Sequence, residues 1–156
     1  MPPIPQSDLD QFVRVVHLIA GAIAASVLIY LVIAWLIAPT LGPTGMEPQT
    51  TRVIAVIFGL LSIGHLIAAR MFFSSRLRSA ATLPLPEQRL ESYRIGFIIA
   101  FALREAIAIY GLALSFLSGE VVWVVVFGAV ALMSMLLDWP RRSDMERLAS
   151  TVPPIG

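Results

Sequence analysis

The side chains of this sequence that could carry chemistry are few, and the most unusual are Arg104 and Glu105. They stand in the middle of the apolar stretch 95–117, in which every other residue is uncharged. A charge in such a setting is costly, so it faces a partner inside a helix bundle or marks an ion path. Adjacent helical residues point about 100° apart, which leaves pairing with each other, with other helices or with another subunit open. Glu105 is therefore either a structural polar contact or a proton-carrying group.

Two histidines form a second candidate set. His17 lies three residues after Arg14, and His65 lies five residues before Arg70. If their helices are antiparallel, a rise of about 1.5 Å per residue puts both rings at a similar shallow depth. Two such rings could ligate a haem b iron from opposite faces, or line a quinone site, as in the membrane anchors of respiratory enzymes. The alternative is two unrelated histidines that bond to backbone or to lipid headgroups.

Other kinds of site lack the residues that they need. The chain has no Cys, which excludes disulfides, thiolate metal centres, iron–sulfur clusters and covalently attached haem. The sequence contains no phosphate-binding loop, no nucleophile–base set and no cluster of metal ligands. A net charge of +1 gives no indication of nucleic-acid binding. We therefore expect no catalytic residue, no metal site and no enzymatic activity from this chain alone.

The elements that must position these residues are four apolar segments, at 12–37, 53–73, 95–117 and 121–137. Hydrophobic residues make up 58% of the chain and charged residues 13%, which is more apolar than a soluble domain of this size can bury. Each segment has about the 17 to 25 residues that cross the hydrocarbon core, and backbone groups in lipid must bond within their own helix. The sequence predicts an all-α protein, a four-helix transmembrane bundle that forms one integral membrane domain over 1–156.

The placement of arginine predicts the orientation of this bundle. Nine Arg lie in or beside the N-terminal segment, a connection at 74–94 and a tail at 140–156, all on one side of a four-span protein. Arg52 alone lies on the other side. The positive-inside rule then places both termini, the long connection and the tail in the cytoplasm. We expect a multi-pass protein of the cytoplasmic (inner) membrane, with a turn at Ser118–Glu120 on the outer side.

The residues around Glu105 also carry a resemblance. The string Glu105-Ala-Ile-Ala-Ile-Tyr110-Gly-Leu112 matches a pattern close to Glu-Ala-x-x-Ile-Tyr-Gly-Leu, and the segment is similar to the polar loop and second helix of the ATP synthase c subunit. With the preceding apolar segment the resemblance covers about residues 53–117. The chain also resembles a group of uncharacterised bacterial four-span membrane proteins. This resemblance implies a helical hairpin with a cytoplasmic loop, in which Glu105 is the ion-carrying carboxylate. Arg104 and Tyr110 are grouped with Glu105 as ion-binding candidates, although an arginine beside the carboxylate departs from the family's pattern.

Small residues suggest where the helices approach one another, because they let backbones come close in lipid. The predicted contact positions are Gly21, Ala25, Gly96, Ala100 and Gly111. From these patterns we expect a non-catalytic accessory or scaffold subunit that contacts lipid and packs against other membrane subunits or copies of itself. Two alternatives stay open: a c-subunit-like protein that binds and translocates protons at Glu105, and a haem b or quinone anchor that uses His17 and His65.

Overall fold

The computed structural model describes residues 5–41 and 47–150, and nearly all of them are helical. The elements are α1 (Gln6–Ile37), a short 3-10 helix (Ala38–Leu41), α2 (Pro48–Thr82), α3 (Pro86–Ser118), α4 (Val122–Leu137) and α5 (Arg142–Ser150). The prediction of an all-α protein is confirmed. Each of the four apolar segments lies in its own long helix, with Val121 as the residue that precedes α4.

The connection predicted at 74–94 needs correction, because most of it is helical. α2 continues to Thr82 and α3 begins at Pro86, which occupies a first-turn position where proline is well tolerated. Arg89 closes the short turn between them: its Nε donates a hydrogen bond of 2.7 Å to the carbonyl oxygen of Leu83. The sequence argument ended each helix where apolar character ends. No Gly or Pro interrupts residues 74–82, so backbone hydrogen bonding continues into polar surroundings.

The predicted tail at 140–156 contains a further helix, α5. Met145 and Leu148 on one face of α5 are buried, and α5 contacts both α3 and α1. Arg142 forms an ion pair of 2.8 Å with Asp10, in the second turn of α1. The first turns of α1 and the whole of α5 therefore lie at the same end of the bundle.

α3 is the central helix of the protein and contacts α1, α2, α4 and α5. Its closest approach is to α4 at Gly111, where an added methyl group would lie 2.7 Å from Cβ of Phe127 and 2.8 Å from the carbonyl oxygen of Trp123. Only a glycine fits this crossing. α4 returns along α3 through a turn at Gly119, whose φ of 72° lies in the left-handed region that glycine adopts without strain.

The outer faces of the bundle are strongly apolar. The large apolar side chains that are exposed include Leu18, Val32, Trp35, Val56, Leu60, Met71, Met133 and Leu136. Among the described residues, three helical segments are long and apolar enough to cross a membrane: α1 with the 3-10 helix, α2, and α3. A fourth exists if α4 and α5, which meet at a bend of 43°, are counted as one span.

Candidate functional site

The carboxylate of Glu105 is held by two hydroxyl groups of α1. Ser26 Oγ and Tyr30 Oη lie 2.5 Å and 2.8 Å from the same oxygen, Oε1. Ser26 and Tyr30 are four residues apart, so they project from one face of α1. Glu105 thus joins α3 to α1 through a three-residue polar cluster inside an apolar bundle.

The Ser26 hydroxyl has a second neighbour, the carbonyl oxygen of Ile23 at 2.7 Å. A serine hydroxyl carries one proton, so it can donate to only one of these two oxygens at a time. An ionised Glu105 accepts a hydrogen bond from Ser26 Oγ. A protonated Glu105 could donate to Ser26 Oγ instead, which would leave the serine proton for the Ile23 carbonyl. The Ser26 hydroxyl therefore has a hydrogen-bond partner in either state of the carboxyl group.

No cationic side chain within residues 5–41 and 47–150 forms an ion pair with Glu105. Tyr110, which was grouped with Glu105 as an ion-binding candidate, faces another helix. It stacks on Phe58 of α2 at a ring-centroid distance of 4.8 Å and meets His65 edge-on at 5.6 Å. Five helical residues turn through about 500°, which puts Glu105 and Tyr110 on nearly opposite sides of α3.

Arg104 has a separate partner at the far end of α4. Its side chain is buried, at 4% exposure, and its guanidinium forms an ion pair with the carboxylate of the half-exposed Asp138. The guanidinium also lies 5.5 Å from the ring centroid of Phe101. Helical side chains lean toward the helix N-terminus, so Arg104 reaches from the middle of α3 toward the end of the bundle where α4 stops. Arg104 Nε has no hydrogen-bond partner among the described residues.

Arg104 and Glu105 therefore pair with other helices rather than with each other. Sequence reasoning did not single out Ser26, Tyr30 or Asp138. Ser26 and Tyr30 could have been identified from the sequence, because their hydroxyl side chains, four residues apart, interrupt an apolar segment on one helical face. Asp138 gave a weaker signal, because a carboxylate directly after an apolar helix is common at any membrane boundary.

His17 and His65 lie in different parts of the bundle. His17 precedes Ser26 by nine residues, about 13 Å along α1, and its ring is 6.4 Å from that of Trp139. His65 contacts Tyr110, which lies beyond Glu105 in the opposite direction along α3. Each Nδ1 lies 2.8 Å from the carbonyl oxygen four residues earlier. Equal depth was inferred from Arg14 and Arg70, but α2 continues for three turns beyond Arg70, so that residue does not mark the end of its helix.

The predicted packing residues divide into two groups. Gly96, Ala100 and Gly111 are buried contacts of α3; a methyl group on Gly96 would lie 2.9 Å from Cβ of Arg76 on α2. On α1 the outcome differs, because a methyl group on Gly21 would meet nothing within 4 Å and Ala25 is exposed. The face of α1 that carries Gly21 and Ala25 is therefore open to the surroundings.

The end of the bundle that holds α5 also carries a charged cluster. Arg142 bonds to Glu146 at 2.6 Å and pairs with Asp10. Hydrogen bonding to Glu146 and the negative charge of Asp10 raise the pKa of Arg142 above its usual value. Within the described part of the chain, no group of three His, Asp or Glu is placed to hold a metal ion.

No protein-family model, curated protein or solved structure matches this chain. The likeness of residues 53–117 to a c-subunit hairpin accordingly stays a prediction from the sequence.

Proposed function

We propose that this protein is a non-catalytic integral membrane protein, with both termini in the cytoplasm, that serves as an accessory or scaffold subunit. The observation that carries the proposal is the distribution of polarity. Apolar side chains are exposed on the outer faces of the four long helices, whereas Glu105 and Arg104 bond to partners within the chain. Such an arrangement is the inverse of a soluble bundle and is suited to lipid, where internal polar groups must be satisfied by neighbouring helices.

The open face of α1 supports a role beside other membrane proteins. Small residues let a second helix approach closely, and Gly21 and Ala25 have free space in front of them. The four spans would satisfy their own charges internally, which leaves this apolar small-residue face for lateral packing.

Membrane insertion is tested by washing membranes that contain the full chain at alkaline pH, which strips peripheral proteins. We expect the protein to stay in the membrane fraction, and its release would refute insertion. Lateral packing is tested by cysteine cross-linking, for which this chain is suited because it has no Cys. Ala25→Cys should cross-link to another membrane protein or to a second copy in native membranes. Ala108→Cys, which is fully buried, is the matched control, and equal behaviour of the two variants would contradict a subunit role.

A second function, proton binding at Glu105, is favoured by the hydrogen bonds of Ser26. Because Ser26 Oγ lies within hydrogen-bond distance of both Glu105 and the Ile23 carbonyl, the Ser26 hydroxyl keeps a hydrogen-bond partner whether Glu105 is ionised or protonated. The lack of an ion pair to Glu105 in the described residues also agrees with a group that changes charge.

A hydrophobic carbodiimide tests this second function, since it modifies protonated carboxyl groups in apolar settings. If Glu105 takes up protons, the reagent should label it, and labelling should fall as the pH rises. The exposed Glu120 and the partly exposed Glu91 provide internal controls in polar surroundings. Ser26→Ala should extend labelling of Glu105 to higher pH, because it removes a hydrogen bond that favours the ionised carboxylate over the acid. Glu105 that resists the reagent at every pH would exclude the proton-binding function and leave the structural one.

A further inference from the structure

One stripe of the central helix α3 stays exposed, although the helices around it bury most of its other sides. The stripe consists of Ile95, Ile99, Ala102, Ala106 and Ile109, of which Ala106 is partly exposed and the others are exposed. Their spacing alternates four and three residues, as it does along the seam between two packed helices. The small side chains at 102 and 106 also let a second helix come close in lipid. These five residues, the α3 seam, therefore form a surface suited to another helix.

The α3 seam forms the floor of a groove between α1 and α2. Both helices pack along α3, but they do not pack along each other in the described residues. Glu105 borders the seam on the side of α1, to which it bonds, and Tyr110 borders it on the side of α2. Tyr110 meets His65 of α2 edge-on. Ile63, about 200° round α2 from His65, lines a crevice toward α4 instead, so His65 lies on the flank of α2 that faces the groove.

Glu105 and His65 lie at nearly the same depth in the bundle. A methyl group on Gly96 of α3 would lie against Cβ of Arg76 on α2, so these two residues are level. The short turn between α2 and α3 makes them antiparallel. Counting nine residues onward from Gly96 leads to Glu105, and counting nine back from Arg76 leads to residue 67. His65 is two residues from that position, which is about 3 Å along the helix.

Each of these two side chains has one polar atom without a partner in the described part of the chain. Both hydroxyl groups of α1 bond to Oε1 of Glu105, whereas Oε2 accepts no hydrogen bond and is not enclosed by the bundle. In His65, Nδ1 lies 2.8 Å from the carbonyl oxygen of Leu61. A carbonyl oxygen only accepts, so Nδ1 carries a hydrogen and Nε2 of the neutral ring is a bare acceptor. Polar atoms left open toward lipid are costly, and both need a partner from outside the chain.

We propose that two copies of this chain form a dimer through their α3 seams, in which Glu105 of each copy bonds to His65 of the other. The inference rests on the proposed insertion in a membrane, which gives both copies the same orientation. A two-fold axis perpendicular to the membrane keeps depth unchanged and places the α1 side of one seam opposite the α2 side of the other. Glu105 Oε2 then meets His65 Nε2 twice, at one level. A single proton between the two atoms satisfies both, with either the acid or the imidazole as its donor.

Cysteine cross-linking in native membranes tests the contact between the two seams. Ala102→Cys should form a disulfide-linked dimer when copper phenanthroline is added, because residue 102 of one copy faces residue 102 of the other across the axis. Leu60→Cys, which is 65% exposed on the outer face of α2, is the control and should stay monomeric. Failure of Ala102→Cys to form a dimer, an equal yield from Leu60→Cys, or a product that contains a different protein would overturn the inference.

A bulky residue in the seam gives a second test. Residue 102 is exposed in the single chain, so Ala102→Trp should leave the monomer folded while keeping the two seams apart. Sedimentation of the full chain in mild detergent should then show a dimer for the wild type and a monomer for this variant. A wild type that is monomeric at every concentration, or a variant that associates as the wild type does, would contradict the dimer.

The pairing of Glu105 with His65 is tested by energy transfer between copies that carry a donor or an acceptor dye, measured over a dilution series. His65→Leu removes both symmetric bonds and should raise the dissociation constant of the dimer about tenfold, since each hydrogen bond between helices in lipid is modest. Glu105→Leu should have a similar effect, and the double variant should be no weaker than either single one, because the two residues share one bond. His17→Leu is the matched control and should associate as the wild type does. A hundredfold loss in the double variant, or a tenfold loss in His17→Leu, would overturn the pairing.

The alkaline wash separates this inference from the proposed function. A protein that remains in washed membranes but does not dimerise refutes the dimer alone, whereas a protein that is washed out refutes insertion itself. Ala25 and Ser26 point about 100° apart on α1, so the dimer leaves the face with Gly21 and Ala25 free. Cross-linking of Ala25→Cys without cross-linking of Ala102→Cys would therefore support the subunit role and refute the dimer.

Discussion

Arg104 and Glu105 are adjacent in the sequence, yet they fasten α3 to two different helices. Glu105 bonds to Ser26 and Tyr30 of α1, whereas Arg104 reaches Asp138 at the end of α4. The two charges therefore act as separate contacts, and removing either one should affect a different interface. This independence can be measured, because effects at sites without shared partners add.

Glu105→Leu should destabilise the α1–α3 contact by about 1–2 kcal/mol, because Tyr30 loses the acceptor of its hydrogen bond. Glu105→Gln keeps a carbonyl oxygen as acceptor and should cost less than about 1 kcal/mol. Unfolding of the purified variants in detergent, followed by circular dichroism, gives the comparison. Tyr30→Phe provides the check, since combining it with Glu105→Leu should add little further loss. Full additivity of those two variants would mean that the hydrogen bond contributes nothing.

Asp138→Ala should destabilise the protein by about 1–3 kcal/mol. It leaves the buried Arg104 guanidinium without its counter-charge, and the half-exposed position of Asp138 keeps the loss below that of a fully buried pair. The double variant Arg104→Leu with Asp138→Leu should recover much of this stability, because no unpaired charge remains. A double-mutant cycle in detergent measures the coupling. If the double variant were less stable than either single one, the ion pair would not be the source of the effect.

Gly111→Ala should destabilise the α3–α4 contact by about 1–3 kcal/mol, because the new methyl group would overlap Phe127 and the backbone of Trp123. The matched control is Gly59→Ala on α2, where an added methyl meets nothing within 4 Å. There alanine should be neutral or slightly stabilising within this chain, since it favours the helix. Thermal unfolding of both variants distinguishes them, and equal stability would contradict the close approach at Gly111.

The proposed orientation predicts which residues a membrane-impermeant maleimide reaches on intact cells. Glu120→Cys, in the turn between α3 and α4, should react from outside. Ser79→Cys, near the end of α2, should react only after the cells are permeabilised. Both positions are exposed, so a difference reports the side of the membrane. The reverse pattern would place both termini outside the cytoplasm.

The helices of this protein could be predicted largely from its sequence, because apolar length decides them. The Val-rich stretch 121–126, which favours a strand by propensity, belongs mostly to α4. The prediction of a connection at 74–94 was wrong because it relied on hydropathy, as the prediction of the spans did. Hydropathy reports where apolar surroundings end, not where a helix ends. Backbone hydrogen bonding through 74–82 needs no apolar side chains.

The partners of the charged residues were beyond sequence reasoning. Glu105 could be identified as costly from its position alone, but Tyr30 lies 75 residues earlier in the chain. Which face of α3 meets α1 depends on the packing of all the helices, including the close approach of α3 to α4 at Gly111 and Phe127. A single sequence carries no direct record of such long-range contacts.

The partnership between Tyr30 and Glu105 also has a consequence for the order in which the protein is made. α1 leaves the ribosome before α3, so in the proposed topology both hydroxyl donors are already in the bilayer when the carboxylate arrives. A helix that carries Arg104 and Glu105 is poorly suited to enter hydrocarbon by itself. In the proposed topology α1 then supplies hydrogen-bond donors to α3 as α3 enters the bilayer. Moving α1 to the C-terminal end of the sequence should therefore impair membrane insertion, even if every contact of the finished protein were preserved.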